Sequence, residues 1–241
     1  KIPDSPQLDK KWHLYMKGGD YCKWYGNQSD IINWKDSGKE LHSLKPLSVI
    51  RNPDFYFKKG ITYTFLTSGT FNARLSPGGF IFDVAGSSIF PDNFQLILAI
   101  LNSSFANYTL KLLNPTVNFQ VGDLARLPIP DSSSPLLESL VETAITLAKV
   151  DSAEDETTFD FTAPPFASSL TGMAVHVKSR HEHLRETENK IDDEVYRLYG
   201  ITDEDRAAIE AEVGEPPALP TPTPEDLVNH WIGYAIGIIM G

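Results

Sequence analysis

Apolar and polar residues alternate in two short stretches of the first half of the chain. Ile61, Tyr63 and Phe65 alternate with Thr62 and Thr64, and Phe80, Phe82 and Val84 alternate with Ile81 and Asp83. A period of two places each set on one face, so both stretches predict half-buried strands. The Ser-Pro-Gly-Gly run at 76 to 79 between them is a turn signal. Residues 12 to 34, dense in aromatics and including Trp12, Tyr15, Trp24 and Trp34, predict strands and ordered loops. The period then lengthens. Asp92, with Gln95 three residues on, is the expected cap of a helix whose stripe is Ile97, Leu101, Phe105, Tyr108 and Leu112, and Pro115 bars its continuation. Residues 118 to 130 read as a short strand or loop. Ser134 and Pro135 open a second helix with Leu137, Leu140, Val141, Ala144 and Leu147 on its face. Residues 151 to 167, acidic and Pro-rich, read as a loop.

From Leu170 to Leu198 apolar residues recur in steps of three and four, which predicts a long helix ended by Gly200. Its stripe is interrupted at His181 and Glu188. Thr202 caps a shorter helix to about Val213, a Pro-rich linker follows, and Thr223 and Pro224 start a last helix. The pattern predicts an α+β fold: a β-rich subdomain with a packed helix over residues 1 to 131, a helical subdomain over 132 to 213, and a Pro-rich linker with a final helix over 214 to 241.

Charge changes this picture because it is unevenly spread. The 241 residues carry a net charge of −11, yet residues 1 to 126 hold 14 Lys and Arg against 10 Asp and Glu, whereas residues 127 to 241 hold 7 against 22. A polyanion is admitted by the first part and repelled by the second. Cys22 is the lone cysteine, so an intrachain disulfide and a paired-cysteine metal site are excluded, in keeping with a reducing cytoplasm. No apolar run is long enough to span a bilayer. With no initiator Met and an apolar end at residues 231 to 241, the chain reads as a segment of a longer protein.

Few residues promise chemistry. Asn-Pro-Asp-Phe at 52 to 55 resembles the Asn-Pro-Pro-Tyr/Phe element of amino-group DNA methyltransferases, in which the Asn and a prolyl carbonyl accept hydrogen bonds from an exocyclic amine and the aromatic stacks on a flipped base. Asp54 replaces the second Pro, and no Gly-rich strand-to-helix turn precedes it; the plainer reading is a turn before a strand at 55 to 57. His181 and His183 are two apart, on different faces of a helix, and read as part of a solvated face rather than a metal pair. The loop between the two alternating stretches offers more donors and acceptors than a connector needs. Arg74 is suited to a guanine, Asn72 or Asn27 to an adenine, Thr67 and Ser68 to base edges, and Lys58, Lys59, Lys111 and Lys23 to phosphates. Against this stands the reading in which Asn72 closes a turn and Arg74 pairs with a carboxylate.

The strings "FYFKKGITYTFLTSGTFNARLSPGGFIFDVAGSSIF" and "LILAILNSSFANYTLKLLNPTVNFQVGDLARLPIP" resemble the target-recognition region of large adenine-specific DNA methyltransferases, nearest to the PglX type of BREX phage-defence systems, with relatives among single-chain type II restriction-modification enzymes. "IDDEVYRLYGITDEDRAAIE" and "LVNHWIGYAIGIIMG" resemble the segments that follow it. The resemblance implies a parent that transfers a methyl group from S-adenosylmethionine to adenine N6 at a short DNA site. The methyl-donor motif and the complete Asn-Pro-Pro-Tyr motif are both missing, so the catalytic domain is expected N-terminal to Lys1, with no cofactor bound in this segment and no activity from it alone. Expected partners are double-stranded DNA, the catalytic domain of the same parent and other defence-system subunits, with no membrane. The alternative is a scaffolding segment whose acidic helical half docks a basic protein surface. DNA binding that falls with salt and maps to residues 20 to 126 separates the two.

Overall fold

The computed structural model describes residues 11–66, 69–116, 118–131 and 134–240. The fold is α+β. Among the described residues six strands form two three-stranded sheets. In the first, β1 (Trp12–Met16) lies between β2 (Asp30–Asn33), antiparallel to it, and β5 (Phe80–Phe82), parallel to it. In the second, β3 (Gly60–Tyr63) lies between β4 (Ala73–Ser76) and β6 (Ser88–Ile89), antiparallel to both. The two alternating stretches of the sequence therefore belong to different sheets. The loop between them is not a simple connector, because β4 lies inside it.

β3 is buried on both faces, which corrects the half-buried reading. Ile61 and Tyr63 enter the main core. The opposite face is covered too: the Thr62 hydroxyl donates to the carbonyl of Gly86 at 3.2 Å, and that of Thr64 to the carbonyl of Gly19 at 3.3 Å. Such close backbone approach needs a glycine, since a Cβ on Gly86 would stand 2.5 Å from the Met16 carbonyl oxygen.

Between β2 and β3, α1 (Lys35–Ser43) begins irregularly, with Asp36, Ser37 and Gly38 left-handed, and Pro53–Phe55 forms a single 3₁₀ turn. The single helix expected from Asp92 to Leu113 is two helices, α2 (Phe94–Asn102) and α3 (Ser104–Leu113), bent by 70°. Asn93, next to the expected cap, holds α2 by accepting from the Leu96 amide at 3.1 Å. Ser103 is extended and starts α3 by accepting from the Ala106 amide at 3.2 Å.

The break has a use. The Asn102 side chain accepts from the Ala73 amide and donates to the Ala73 carbonyl, both at 2.9 Å, and so completes the edge of β4 as a strand would. Asn107 accepts from the Phe71 amide at 2.9 Å. Both asparagines are buried, as such backbone partners require.

Downstream, Asn118 bridges Leu66 and the Phe119 amide donates to the Phe65 carbonyl at 2.9 Å, and the short helix α4 (Val121–Leu124) follows. α5 (Pro135–Glu154) is capped by Ser134, and α6 (Leu170–Tyr199) runs from the Ser169 cap to left-handed Gly200. α7 (Asp203–Val213) is capped by Thr202, and α8 (Pro224–Met240) begins with reciprocal bonds between Thr223 and Asp226. The interruptions in the α6 stripe are polar links: His181 meets Asp151 at 3.2 Å, and Glu188 accepts from the Trp24 indole at 2.8 Å. One apolar core, from Trp24 and Ile61 through α2 and α3 to Val141 of α5 and Ile191 of α6, crosses the expected boundary at residue 131. Among the described residues no single helix is long and apolar enough to cross a membrane; the bent pair α2–α3 passes by composition, and α2 lies largely in the core.

Candidate nucleic-acid interface

Arg74 stands on β4 and is fully buried. One terminal nitrogen of its guanidinium donates to the Thr64 hydroxyl and to Asn72 Oδ1, both at 3.2 Å, and the other to the Gly18 carbonyl at 2.7 Å. All three acceptors are neutral. Burial pushes its pKa below the ordinary arginine value, and no carboxylate restores it. Arg74 is thus not displayed in a loop for a guanine; nor does it pair with a carboxylate, as the plainer reading had it. Asn72 is buried beside it, accepting from the Cys22 amide at 3.3 Å and donating to the Thr70 carbonyl at 3.3 Å. The turn-closing reading fits Asn72. Thr67 and Ser68 lie outside the described residues.

Lys23 is corrected as well. Its side chain is 10% exposed and pairs with Glu188 at 3.6 Å. Burial opposes its charge, and Glu188 with Tyr21 and Asp192 outweighs that, so its pKa rises overall. A phosphate would have to displace Glu188. Asn27, part-exposed with φ of 55°, donates to the Asp20 carbonyl at 2.8 Å. Lys111 is exposed and donates to the Glu212 carbonyl of α7 at 3.2 Å, a contact suited to a helix end.

Lys58 and Lys59 remain open to water. Their ammonium groups lie 4.7 Å from the Phe55 ring centroid and 4.8 Å from that of Phe94. They belong to a longer exposed basic stretch: between residues 35 and 59, Lys35, Lys39, Lys45, Arg51, Lys58 and Lys59 are all exposed, against Asp36, Glu40 and Asp54. That local excess of three positive charges contrasts with −11 for the chain.

Two adjoining grooves flank Phe65 and Val84. The larger, about 910 Å³, is lined by Lys17 and Asn27 but also by Asp20, Asp30, Asp83 and Asp155, a setting that repels phosphate. The other, about 670 Å³, lies where the two sheets meet and is lined by Tyr15, Trp34, Tyr56 and Phe65, with Arg51, Asn52 and Gln120 as polar groups. Its walls are aromatic and aliphatic, its single lining carboxylate is Asp83, and its one lining cation is Arg51. Arg51, Asn52 and Gln120 were not picked out as readers from the sequence. The signals that could have found them were the Asn-Pro-Asp-Phe turn and the run of Lys and Arg from 35 to 59.

Curated relatives match the chain. The adenine-specific methyltransferase PglX of Lacticaseibacillus casei (strain Zhang) is 33% identical over 260 aligned residues, which cover 98% of this chain. The chain is a segment related to the BREX PglX-type methyltransferases. The adenine-specific methyltransferase BrxX of Escherichia coli O9:H4 (strain HS) is 38% identical over 158 residues, 64% of the chain. The PglX-type segment spans only 21% of the first relative and 13% of the second. No protein-family model matches it.

S-adenosylmethionine, which the resemblance implies for the parent, would call for a glycine-rich turn between a strand and a helix. Among the described residues the one parallel strand pair is β1 with β5, and β6 leads into α2 through Phe90 to Asn93 without a glycine.

Proposed function

We propose that this PglX-type segment is the DNA target-recognition part of an S-adenosylmethionine-dependent adenine-N6 methyltransferase of a phage-defence system. The methyl donor and the catalytic motifs belong to the remainder of the parent protein. The observation that carries the reading is the surface at residues 35 to 59: it exposes six cations, one of which, Arg51, lines a groove together with Asn52 and Gln120, on an otherwise acidic chain related to adenine-specific methyltransferases. Cations hold the phosphate backbone without regard to sequence, and the groove's polar groups meet base edges. The division of labour follows from charge: the segment from 127 to 241, with its excess of acids, faces away from DNA.

A second reading is favoured by α8. Ile232, Ile236, Ile238, Ile239 and Met240 are exposed on it, a surface suited to a protein partner such as the catalytic domain or another defence-system subunit. The two readings concern different ends of the chain and can both hold.

The test is sequencing of modified adenines in cells that express the full-length methyltransferase with residues 11 to 126 either native or exchanged for those of a relative with another target. A changed motif is expected. An unchanged motif with methylation intact would remove sequence reading from this segment and leave the scaffolding role.

A further inference from the structure

Resting on the reading of this segment as a DNA reader, we infer that Arg51 and Asn52, at the rim of the groove between the two sheets, carry the base recognition, with Arg51 taking the O6 and N7 edge of a guanine. The guanidinium fork is the side chain that makes this bidentate contact, so the state of each arginine matters. The chain has seven. Arg74 is buried and committed to Gly18, Thr64 and Asn72. Arg180, Arg185, Arg197 and Arg206 are paired with carboxylates of α5, α6 and α7. Among the described residues, Arg51 and Arg126 keep their guanidinium groups without a hydrogen-bond or ion-pair partner, and Arg126 does not line the groove.

The backbone beneath Arg51 is fixed while its side chain is open. The Tyr56 hydroxyl lies beside the Arg51 backbone. Tyr56 is itself buried, edge-on to Trp34 and to Phe82, with ring centroids 5.3 Å apart in each case. Asn52 is left-handed, with φ 51° and ψ 47°, and the Phe55 amide bonds its carbonyl at 3.0 Å, closing the turn. Its side-chain amide faces no protein partner among the described residues. A reader needs this arrangement: a rigid base, and polar groups whose hydrogen bonds are made only with the target.

Double-stranded DNA is the occupant that fits by charge. Lys45 on the same loop and Lys58 and Lys59 just beyond the turn are exposed cations placed for the phosphates flanking the read bases. Leu47 and Val49, 91% and 63% exposed on that loop, supply apolar contact for thymine methyls or sugars.

The experiment is modified-base sequencing in cells carrying the full-length methyltransferase as Arg51→Ala, Asn52→Gly, Lys58→Ala, or with residues 11 to 126 exchanged. Glycine at 52 keeps the left-handed turn, so that variant removes the amide without straining the backbone. Arg51→Ala is expected to lose preference for guanine at one position by about 5- to 150-fold, and Lys58→Ala to lower methylation at all sites alike. An unchanged motif in Arg51→Ala and Asn52→Gly, together with a changed motif in the exchange, overturns this assignment and leaves the segment as the reader. An unchanged motif in the exchange overturns the reading itself. Should Arg51→Ala abolish methylation, competition binding of the purified variant to duplexes varied at each position decides: a loss confined to one position supports the assignment, and an equal loss on every sequence refutes it.

Discussion

The two halves of the molecule each bury an arginine, and they treat its charge in opposite ways. Arg180 on α6 meets Asp151 at 2.6 Å and Glu154 at 2.5 Å, and those carboxylates outweigh its burial and raise its pKa. Arg74 on β4 has only neutral oxygens, and burial lowers its pKa. The helical half has acids to spare and spends two on one cation; the sheet half has so few that its buried guanidinium goes without. Among the described residues the exposed Lys35, Lys39, Lys45 and Arg51 of the sheet half make no side-chain ion pair, the condition for meeting an external polyanion.

The sharpest way to break the comparison is Arg74→Ala. It strands the Gly18 carbonyl, the Thr64 hydroxyl and Asn72 Oδ1 in the core and opens a cavity, so a loss of about 3 to 5 kcal/mol in denaturant unfolding is expected. A loss below about 1 kcal/mol would mean that the side chain is not held inside, and the contrast with Arg180 would collapse. Arg180→Ala comes next, at about 2 to 3 kcal/mol, because Asp151 and Glu154 are 31% and 17% exposed and water softens their repulsion. Asp151→Asn combined with Glu154→Gln should recover part of that loss. A double-mutant cycle with no coupling would show that the triad is incidental.

Asn102→Ala tests how the sheet half is joined to its helices. The Ala73 amide loses its partner while its carbonyl keeps the Trp24 amide at 3.0 Å, and about 1 to 2 kcal/mol should follow. Equal stability of Asn102→Ala and the parent would exclude Asn102 as a completing edge for β4.

The asparagine brace also marks what the sequence could and could not tell. Helix ends were legible because their signals are local: Ser134 with Pro135, Thr202, Gly200 and Thr223 with Pro224 all act within a few residues of themselves. β4 was not, although Phe71, Ala73 and Leu75 alternate with Asn72, Arg74 and Ser76: its polar side chains looked like a loop offered to a ligand, and the structure buries them as completely as the apolar ones. The break at Ser103 was hidden inside a stripe that runs smoothly from Ile97 to Leu112, because it answers to β4 some 30 residues earlier in the chain. The same holds for the site. Thr62 and Thr64 looked like a solvent face until Gly18, Gly19 and Gly86 covered them, and Lys23 looked like a phosphate ligand until Glu188, 165 residues on, claimed it. Arg74 fits a guanine by chemistry alone, and only the register of β4 reveals that it points inward.

The smallest effect sharpens the comparison through pH. In the helical half, Arg197 at 2.7 Å and the Ser134 hydroxyl at 2.5 Å hold the Glu194 carboxyl below its ordinary value. Its folded pKa is lowered, so the stability it contributes is complete above pH 4.5 and is lost as pH falls through the folded value. Arg197 is 62% exposed, and water screens the pair; Glu194→Gln should cost about 1 kcal/mol at neutral pH. Asp192, which ties α6 to α3 by accepting from the Ser104 amide at 2.9 Å and hydroxyl at 2.6 Å, has the opposite sign. Burial raises its pKa despite those bonds, so its contribution is complete below pH 3.8 and is lost as pH rises through the folded value. Unfolding free energy measured from pH 7 down to pH 3 should therefore fall less for Glu194→Gln than for the parent, and fall more for Asp192→Asn. Parallel curves for Glu194→Gln and the parent would show that the cap of α5 does not depend on an ionised Glu194, and the account of the helical half as the one that spends its acids on internal pairs would lose its mildest instance.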